Sequence, residues 1–385
     1  MFFCNLESAF QECVNQNRFR RTYASCENGS DRINLRDNDY LGLMRNPRVE
    51  HASCEAVVRY GSSSSGSPVV GGYLDIHEKL EALLCEWVGY PSGLLWPSGY
   101  AANRALLQLL LQKGDCVFAD RLIHRSMLEG ALSTSAQLIR YGHRDLDHLE
   151  ALLKKQSPSR RIFVLTESVF SMDGDLEDLS AMAALKEKYP FFWVVDEAHA
   201  IGWYGPLGAG CVRGAGLESV VDVIVGTLGK SLASQGAFTL FRNSRLRDYC
   251  INLAPEFMYS TYLAPALVGA ALGAIEYIRE ELYLEQPVWK SMAYRLKQQL
   301  HHDFPSIEIN DAPIIPIIIG EERDMLHTHE CLYHSGLLTG AIRPPSVPVG
   351  SSRIRLSLKR GLDPEVLLMR IFSALQWREQ SCPRV

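Results

Sequence analysis

Two stretches decide the fold of this chain: Val194-Val195-Asp196-Glu197-Ala198-His199 and Val223-Ile224-Val225-Gly226-Thr227-Leu228-Gly229-Lys230-Ser231. Each begins as an unbroken apolar run and ends in groups that carry charge. An apolar run without alternation reads as a strand buried on both faces, which is the signature of a parallel sheet covered by helices. A lysine placed among glycines and hydroxyls at such a strand end is poorly explained as a solvated surface charge. A lysine that forms a Schiff base needs a site of this kind, where partial burial lowers its pKa and a carbonyl compound can approach.

Similar runs lie upstream at 116–119 and 162–165, separated by helical stretches at 145–155 and 179–189. Ile76, Leu80, Leu83, Leu84 and Trp87 have helical spacing. The alternation predicts an α/β fold with a mostly parallel sheet, and in such sheets ligands bind beyond the carboxyl ends of the strands. Thr166-Glu167, Asp196-Glu197 and the segment up to Lys230 all fall there. Downstream the pattern changes: 264–300 is long and helical with a break near Gln286-Pro287, 312–319 is β-rich, 325–335 helical, 353–358 a strand and 364–376 a closing helix. The expected organisation is an arm over 1–42, a large domain over 43–263 and a smaller α+β domain over 264–385.

Composition narrows the function classes. The 385 residues are 47% hydrophobic and 22% charged, ordinary for a globular enzyme large enough for two lobes. With 39 Lys plus Arg against 44 Asp plus Glu, the net charge of −5 argues against a nucleic-acid surface. No run approaches the length of a membrane span, and the N-terminus has no basic segment followed by a long apolar one, so a cytoplasmic protein is expected. The 10 cysteines are scattered with no Cys-x-x-Cys pair; they read as reduced thiols, some of them core residues, and no metal site is signalled.

Other candidates lie around the two opening stretches. Ser98-Gly99-Tyr100 opens an apolar helix, and a helix N-terminus offers free N–H groups and positive potential to a phosphate; an ordinary cap would look the same. His124 follows the strand that ends at Asp120, where a surface histidine is equally natural. Asp196 and His199 straddle a strand end; a carboxylate there would keep a pyridine nitrogen protonated and the ring an electron sink. Thr227 and Ser231 flank Lys230 as phosphate contacts or caps. Arg343 precedes Pro344-Pro345, and Arg353 and Arg355 sit in an apolar strand, where arginine takes an anion or a buried carboxylate, or faces water at an edge. Alternation puts both on one face and does not choose between them.

Taken together, Asn38-Asp39-Tyr40-Leu41-Gly42-Leu43, Ser98-Gly99-Tyr100-Ala101-Ala102-Asn103, Thr166 to Asp175, Val195 to His199, Thr227 to Lys230 and Tyr259-Ser260-Thr261 resemble the α-oxoamine synthases. These are fold-type I pyridoxal-phosphate (PLP) enzymes, and the resemblance covers nearly the whole chain. It implies that Lys230 holds PLP covalently, Asp196 pairs with the ring nitrogen, His199 hydrogen-bonds the phenolic oxygen and His124 stacks on the ring, with Ser171 at the same edge. It further implies that Gly99, Tyr100 and Thr227 surround the phosphate, joined by Thr261 from a second copy in a homodimer with shared sites. The spacing from the Arg-Pro-Pro motif selects Arg355 as the clamp on the amino-acid carboxylate, with Arg343, Asn38 and Arg20 also at the substrate. The run 341–348 followed by 353–356 is most like members that condense L-alanine with a pimeloyl thioester, on coenzyme A or a carrier protein. Members using glycine or serine with another acyl thioester, and an aminotransferase on the same fold, remain alternatives. The chain departs from the family pattern at Ser62-Ser63-Ser64-Ser65, normally glycine-rich, and at Gly236-Ala237.

Overall fold

A computed structural model describes residues 4–20, 22, 32–157 and 159–381. Residues 1–3, 21 and 23–31 of the expected arm, Cys26 among them, and Cys382 lie outside the described residues. The chain forms two compact units: a larger one of Asp39–Ser171 with Asp175–Pro287, and a smaller one of the chain up to Asn38, Met172–Gly174 and the chain from Val288.

The larger unit is built on a seven-stranded sheet. Its strands are β1 (Ser92–Trp96), β2 (Cys116–Asp120), β3 (Gln137–Tyr141), β4 (Ile162–Glu167), β5 (Phe192–Asp196), β6 (Val223–Thr227) and β7 (Ala237–Phe241), in the spatial order β1-β7-β6-β5-β4-β2-β3. Five neighbouring strands, β3, β2, β4, β5 and β6, run parallel, as the unbroken apolar sequences of β2, β4, β5 and β6 predict; β3, with Gln137 and Arg140, is an edge strand the sequence pattern did not show. Val194, Val195, Val223 and Ile224 are completely buried. Strand β7 runs antiparallel to both β6 and β1. The reason is local: only residues 228–236 separate β6 from β7, too few for the crossover that a parallel pair requires. Lys230 therefore sits in a hairpin loop, not ahead of a crossover helix.

Helices cover the sheet with buried faces at the expected spacing. Asp75–Val88 buries Ile76, Leu80, Leu84 and Trp87, while Leu146–Leu153 and Leu179–Lys188 are started by the side chains of Asp145 and Asp178, which accept from N–H groups of the first turn. The helical stretch 264–300 is broken just before the expected Gln286-Pro287: helix Pro265–Glu280, a 3₁₀ turn Leu282–Glu285, then helix Gln286–His301. The first of these helices belongs to the larger unit, although the sequence pattern suggested that it opens the smaller domain. Its glycines explain this. A Cβ built on Gly269 would lie 2.5 Å from the Ala52 carbonyl oxygen and 2.6 Å from the Ala56 Cβ; one on Gly273 would lie 2.8 Å from the Ala52 Cβ. Small residues on both sides let this helix and Pro47–Tyr60 approach almost backbone to backbone.

In the smaller unit Ile314–Gly320, Ser352–Ser357 and Gly340–Ile342 form an antiparallel sheet with Ser352–Ser357 at its centre. Helices Glu322–His334 and Pro364–Ser381 accompany it. The arm, read from sequence as lacking periodicity, contains a helix, Cys4–Asn15, carrying Leu6, Phe10 and Val14 one turn apart. Among the described residues no helix is long and apolar enough to cross a membrane.

Replacing Gly269 by leucine should destabilise the protein by about 3 kcal/mol, because the added atoms meet backbone and cannot be absorbed by a rotamer change. Equal urea midpoints for Gly269→Leu and the parent chain would show that the two helices are not in this close contact.

Candidate active site

The strand register sets the site. Glu167 is opposite Asp196, Asp196 opposite Val225, and both Trp96 and Thr227 are opposite Ala237. The carboxyl ends of β1, β6, β5 and β4 thus share one edge of the sheet, and each continues into polar groups. This is where a ligand binds in an open α/β sheet.

Lys230 lies in a loop tied at its base. Leu228 N donates to Gly236 O, Thr227 Oγ1 donates to Gly236 O and accepts from Gly229 N, and Ala233 N donates to Lys230 O. Gly236 needs its φ of +110°, and a Cβ there would crowd Leu263 and the Trp96 carbonyl. The loop holds Lys230 Nζ 2.7 Å from His199 Nε2. The other ring nitrogen, Nδ1, is 2.6 Å from the hydroxyl of Tyr40, a residue with no exposed surface. Tyr40 lies in the Asn38–Leu43 motif, yet nothing in its spacing marked it as a site residue.

A second chain of hydrogen bonds holds the carboxylate. Asp196 Oδ2 accepts from Asn103 Nδ2 at 2.8 Å, and Oδ1 from the Ala198 N–H at 3.0 Å. Asn103 Nδ2 also donates to Ser126 Oγ at 3.0 Å, and that hydroxyl lies 2.7 Å from His124 Nδ1. His124, which the resemblance places over the cofactor ring, is linked to Asp196 by two buried side chains that sequence reasoning left unassigned. The available signal was an asparagine on the apolar face of the helix Gly99–Leu110. The His124 ring is open to solvent on one side, but surrounding protein pushes its imidazolium pKa down, and the nearby Lys230 adds to that against the pull of Asp196.

Two further acids lie behind Asp196. Burial holds the Glu167 carboxyl well above the usual carboxylate range, reinforced by the charge of Asp196; its Oε2 accepts from Ser171 N at 3.2 Å. Burial raises Glu197 to about 7, and its Oε1 caps Cys211 N and Val212 N. Ser171 itself is buried.

The helix Gly99–Leu110 starts beyond β1. Ser98 Oγ accepts from Ala101 N and Ser98 O from Ala102 N, while the N–H groups of Gly99 and Tyr100 meet no acceptor among the described residues. The Tyr100 hydroxyl bonds to Glu129. Thr261 is exposed in the loop after Pro255–Met258. Each polar group of PLP has a chemical counterpart at this edge: an amine, a buried carboxylate, an imidazole and a helix N-terminus with two open donors. The residues fit the cofactor.

In the smaller unit the two strand arginines have different partners. Arg353 pairs with the Asp173 carboxylate, whereas Arg355 donates to Asn38 Oδ1 at 3.1 Å and Ser357 Oγ at 2.6 Å. Both guanidinium groups are buried. Arg20 donates to the carbonyls of Arg343 and Pro344 at 3.0 Å, and Arg343 donates back to Phe19 O.

Below the site His143 lies between two carboxylates, with Nδ1 2.9 Å from Asp120 and Nε2 2.6 Å from Asp175. Burial opposes its charge, but the two hydrogen bonds win and raise it to about 10.

Comparison with known proteins agrees with this geometry. A profile of the family "Aminotransferase class I and II" matches residues 30–369. A putative 8-amino-7-oxononanoate synthase of Bacillus cereus is 37% identical over 85% of this chain and 82% of its own length. An 8-amino-7-oxononanoate synthase of Anaeromyxobacter dehalogenans is 38% identical over 86% of this chain and 82% of its own. Among solved structures, a serine palmitoyltransferase of Sphingomonas wittichii superimposes with a TM-score of 0.89 at 26% identity, covering 99% of this chain and 98% of that one. Fold and site therefore define a fold-type I, PLP-dependent transferase. The chain belongs to the aminotransferase class I and II family and, within it, to the α-oxoamine synthases, which are acyltransferases.

The His143 cluster gives a pH prediction. The folded-state pKa of about 10 lies above an unfolded value near 6.5. Its contribution to stability is therefore complete below about pH 6.5 and disappears as pH rises through 10. Urea midpoints at pH 6 and pH 10.5 should differ more for the parent chain than for His143→Gln. Parallel pH profiles for the two would show that His143 carries no such charge.

Proposed function

We propose that this protein condenses L-alanine with a pimeloyl thioester, releasing carbon dioxide, the free thiol and 8-amino-7-oxononanoate, a reaction of biotin synthesis in the cytoplasm. The observation that carries this reading is the Lys230–His199 contact at the same sheet edge as the buried Asp196 carboxylate, in a chain 38% identical to a named 8-amino-7-oxononanoate synthase.

PLP, when bound, supplies the electron sink that makes the Cα proton of an amino acid removable. Lys230 would anchor it and, as a free amine, would take that proton at Nζ. Asp196, oriented by Asn103 and Ala198 N, would face the ring nitrogen and keep it protonated. His199 would hold the phenolic oxygen and His124 would cover the ring face. The open N–H groups of Gly99 and Tyr100 and the Thr227 hydroxyl would bind the phosphate, with Thr261 joining them from a second copy of the chain in a homodimer.

Arg355 takes the amino-acid carboxylate. Arg353 is already engaged by the Asp173 carboxylate, which supports choosing Arg355 for an incoming anion. Arg343 and Arg20, laced to each other through backbone carbonyls, are assigned to the far end of the acyl substrate. The acyl chain leaves its thiol, on coenzyme A or a carrier protein, as its carbonyl bonds to Cα; loss of the alanine carboxyl as carbon dioxide and return of a proton to Cα complete the balance.

The likeness to serine palmitoyltransferase favours a second reading, condensation of serine or glycine with another acyl thioester. Product masses from alanine, glycine and serine, each with pimeloyl and longer acyl-CoA, separate the two. L-alanine with pimeloyl-CoA should give the highest kcat/KM; a preference for serine with a long acyl chain would reverse the assignment. Lys230→Ala should yield no product above background. Arg355→Lys should raise the KM for alanine by about tenfold or more, since an ammonium cannot make the bidentate contact.

A further inference from the structure

We infer that Ser64 is a positioning residue for the cofactor phosphate: its hydroxyl fastens the backbone that carries Thr261, a tie that a glycine there could not make. The inference rests on the proposed place of Thr261 at the phosphate of a second copy.

The serine run 62–65 stands where the resemblance predicts a glycine-rich loop, and two of its hydroxyls are put to use. Ser63 Oγ accepts from Ser65 N at 3.0 Å, inside a turn where Ser65 has a φ of +56°. Glycine would adopt that backbone at lower cost. The buried Ser64 hydroxyl donates to the carbonyl of Leu263, 199 residues away in the chain. Two residues on, Gly66 O accepts from Tyr262 N at 3.0 Å. The loop thus grips Tyr262 and Leu263 through one side chain and one carbonyl.

Other groups complete the hold on that segment. His77 Nδ1 accepts from Leu74 N at 3.0 Å, so the proton of the neutral ring sits on Nε2, which donates to Leu263 O at 2.9 Å. The Tyr262 hydroxyl reaches Glu81 Oε1 and Leu95 O, each at 3.2 Å. Tyr262 and Leu263 are buried, whereas Thr261 just before them is exposed, and its hydroxyl makes no hydrogen bond among the described residues. Residues 261–264 belong to no strand or helix, so no backbone ladder fixes Thr261 if these ties loosen. An anchored backbone that presents an open hydroxyl suits an acceptor arriving from outside the protomer. Without the Ser64 hydroxyl, Leu263 O keeps His77, but the loop loses its side-chain hold and Thr261 meets the phosphate in good geometry less often.

The test uses the PLP-loaded, full-length protein, dialysed against a series of free PLP concentrations, with bound cofactor read from the visible band. Thr261→Ala should weaken retention by about tenfold, the worth of one hydrogen bond to a charged group, and Ser64→Ala by about threefold. In the Thr261→Ala background, Ser64→Ala should cause no further loss, because the hydroxyl it places is already gone. A merely structural role would weaken retention equally with and without Thr261, and that additive result overturns the inference. Retention in Ser64→Ala equal to that of the parent overturns it too. If Ser64→Ala does not fold, Ser64→Gly takes its place with the same two outcomes. Unchanged retention in Thr261→Ala would remove the reading of Thr261 at the phosphate, and the inference with it; a loss in Thr261→Ala without one in Ser64→Ala removes the inference alone.

Discussion

Leu165, Thr166 and Glu167 pair in register with Val194, Val195 and Asp196, and Val195 and Asp196 pair in turn with Ile224 and Val225. This ladder places an acid at the end of β4, an acid at the end of β5 and the lysine loop after β6 along one edge. A slip of one residue would carry each end group to the opposite face and move every strand side chain into packing built for its neighbour on the other side. Because both faces are packed under helices, such a slip would leave voids and clashes on both. Hydrophobic burial in the strands thus fixes the position of the polar chemistry at their ends.

On that edge, two hydrogen-bonded lines act as supports. One runs from Tyr40 through His199 to Lys230, the other from His124 through Ser126 and Asn103 to Asp196. Every intermediate group is nearly or fully buried, so losing any member would leave a neighbour without its partner, at about 1–3 kcal/mol for each neutral group. Side chains supported this way hold one orientation. A site that must keep an amine, an imidazole and a carboxylate aimed at one ligand depends on that rigidity. His143 does comparable work below the site, matching its charge to Asp120 and Asp175 where neither carboxylate has water enough to be solvated alone.

Much of this was legible in the chain before folding. The runs at 162–165, 191–195 and 221–225 gave parallel strands because a strand buried on both faces has no polar alternation to lose. Lys230, Asp196 and His199 stood out because charge at the end of such a run needs a reason. The glycines of 264–280 carried a signal that was read too simply: helical periodicity showed a helix, but Gly269 and Gly273 indicated a close neighbour without naming it. That neighbour, Pro47–Tyr60, lies more than two hundred residues earlier, and it draws the helix into the larger unit.

By itself, the sequence determined the strand ends, the charged groups on them and the α/β class, since period and end chemistry are written within a dozen residues. Only the tertiary structure decided the partners: Tyr40 for His199, 159 residues apart; Asn103 for Asp196, 93 apart; Asp173 for Arg353 and Asn38 for Arg355. Alternation put both arginines on one face of a strand and could go no further. Which of them meets the Asp173 carboxylate and which meets Asn38 depends on what the folded chain brings opposite each one, and that pairing has no local trace.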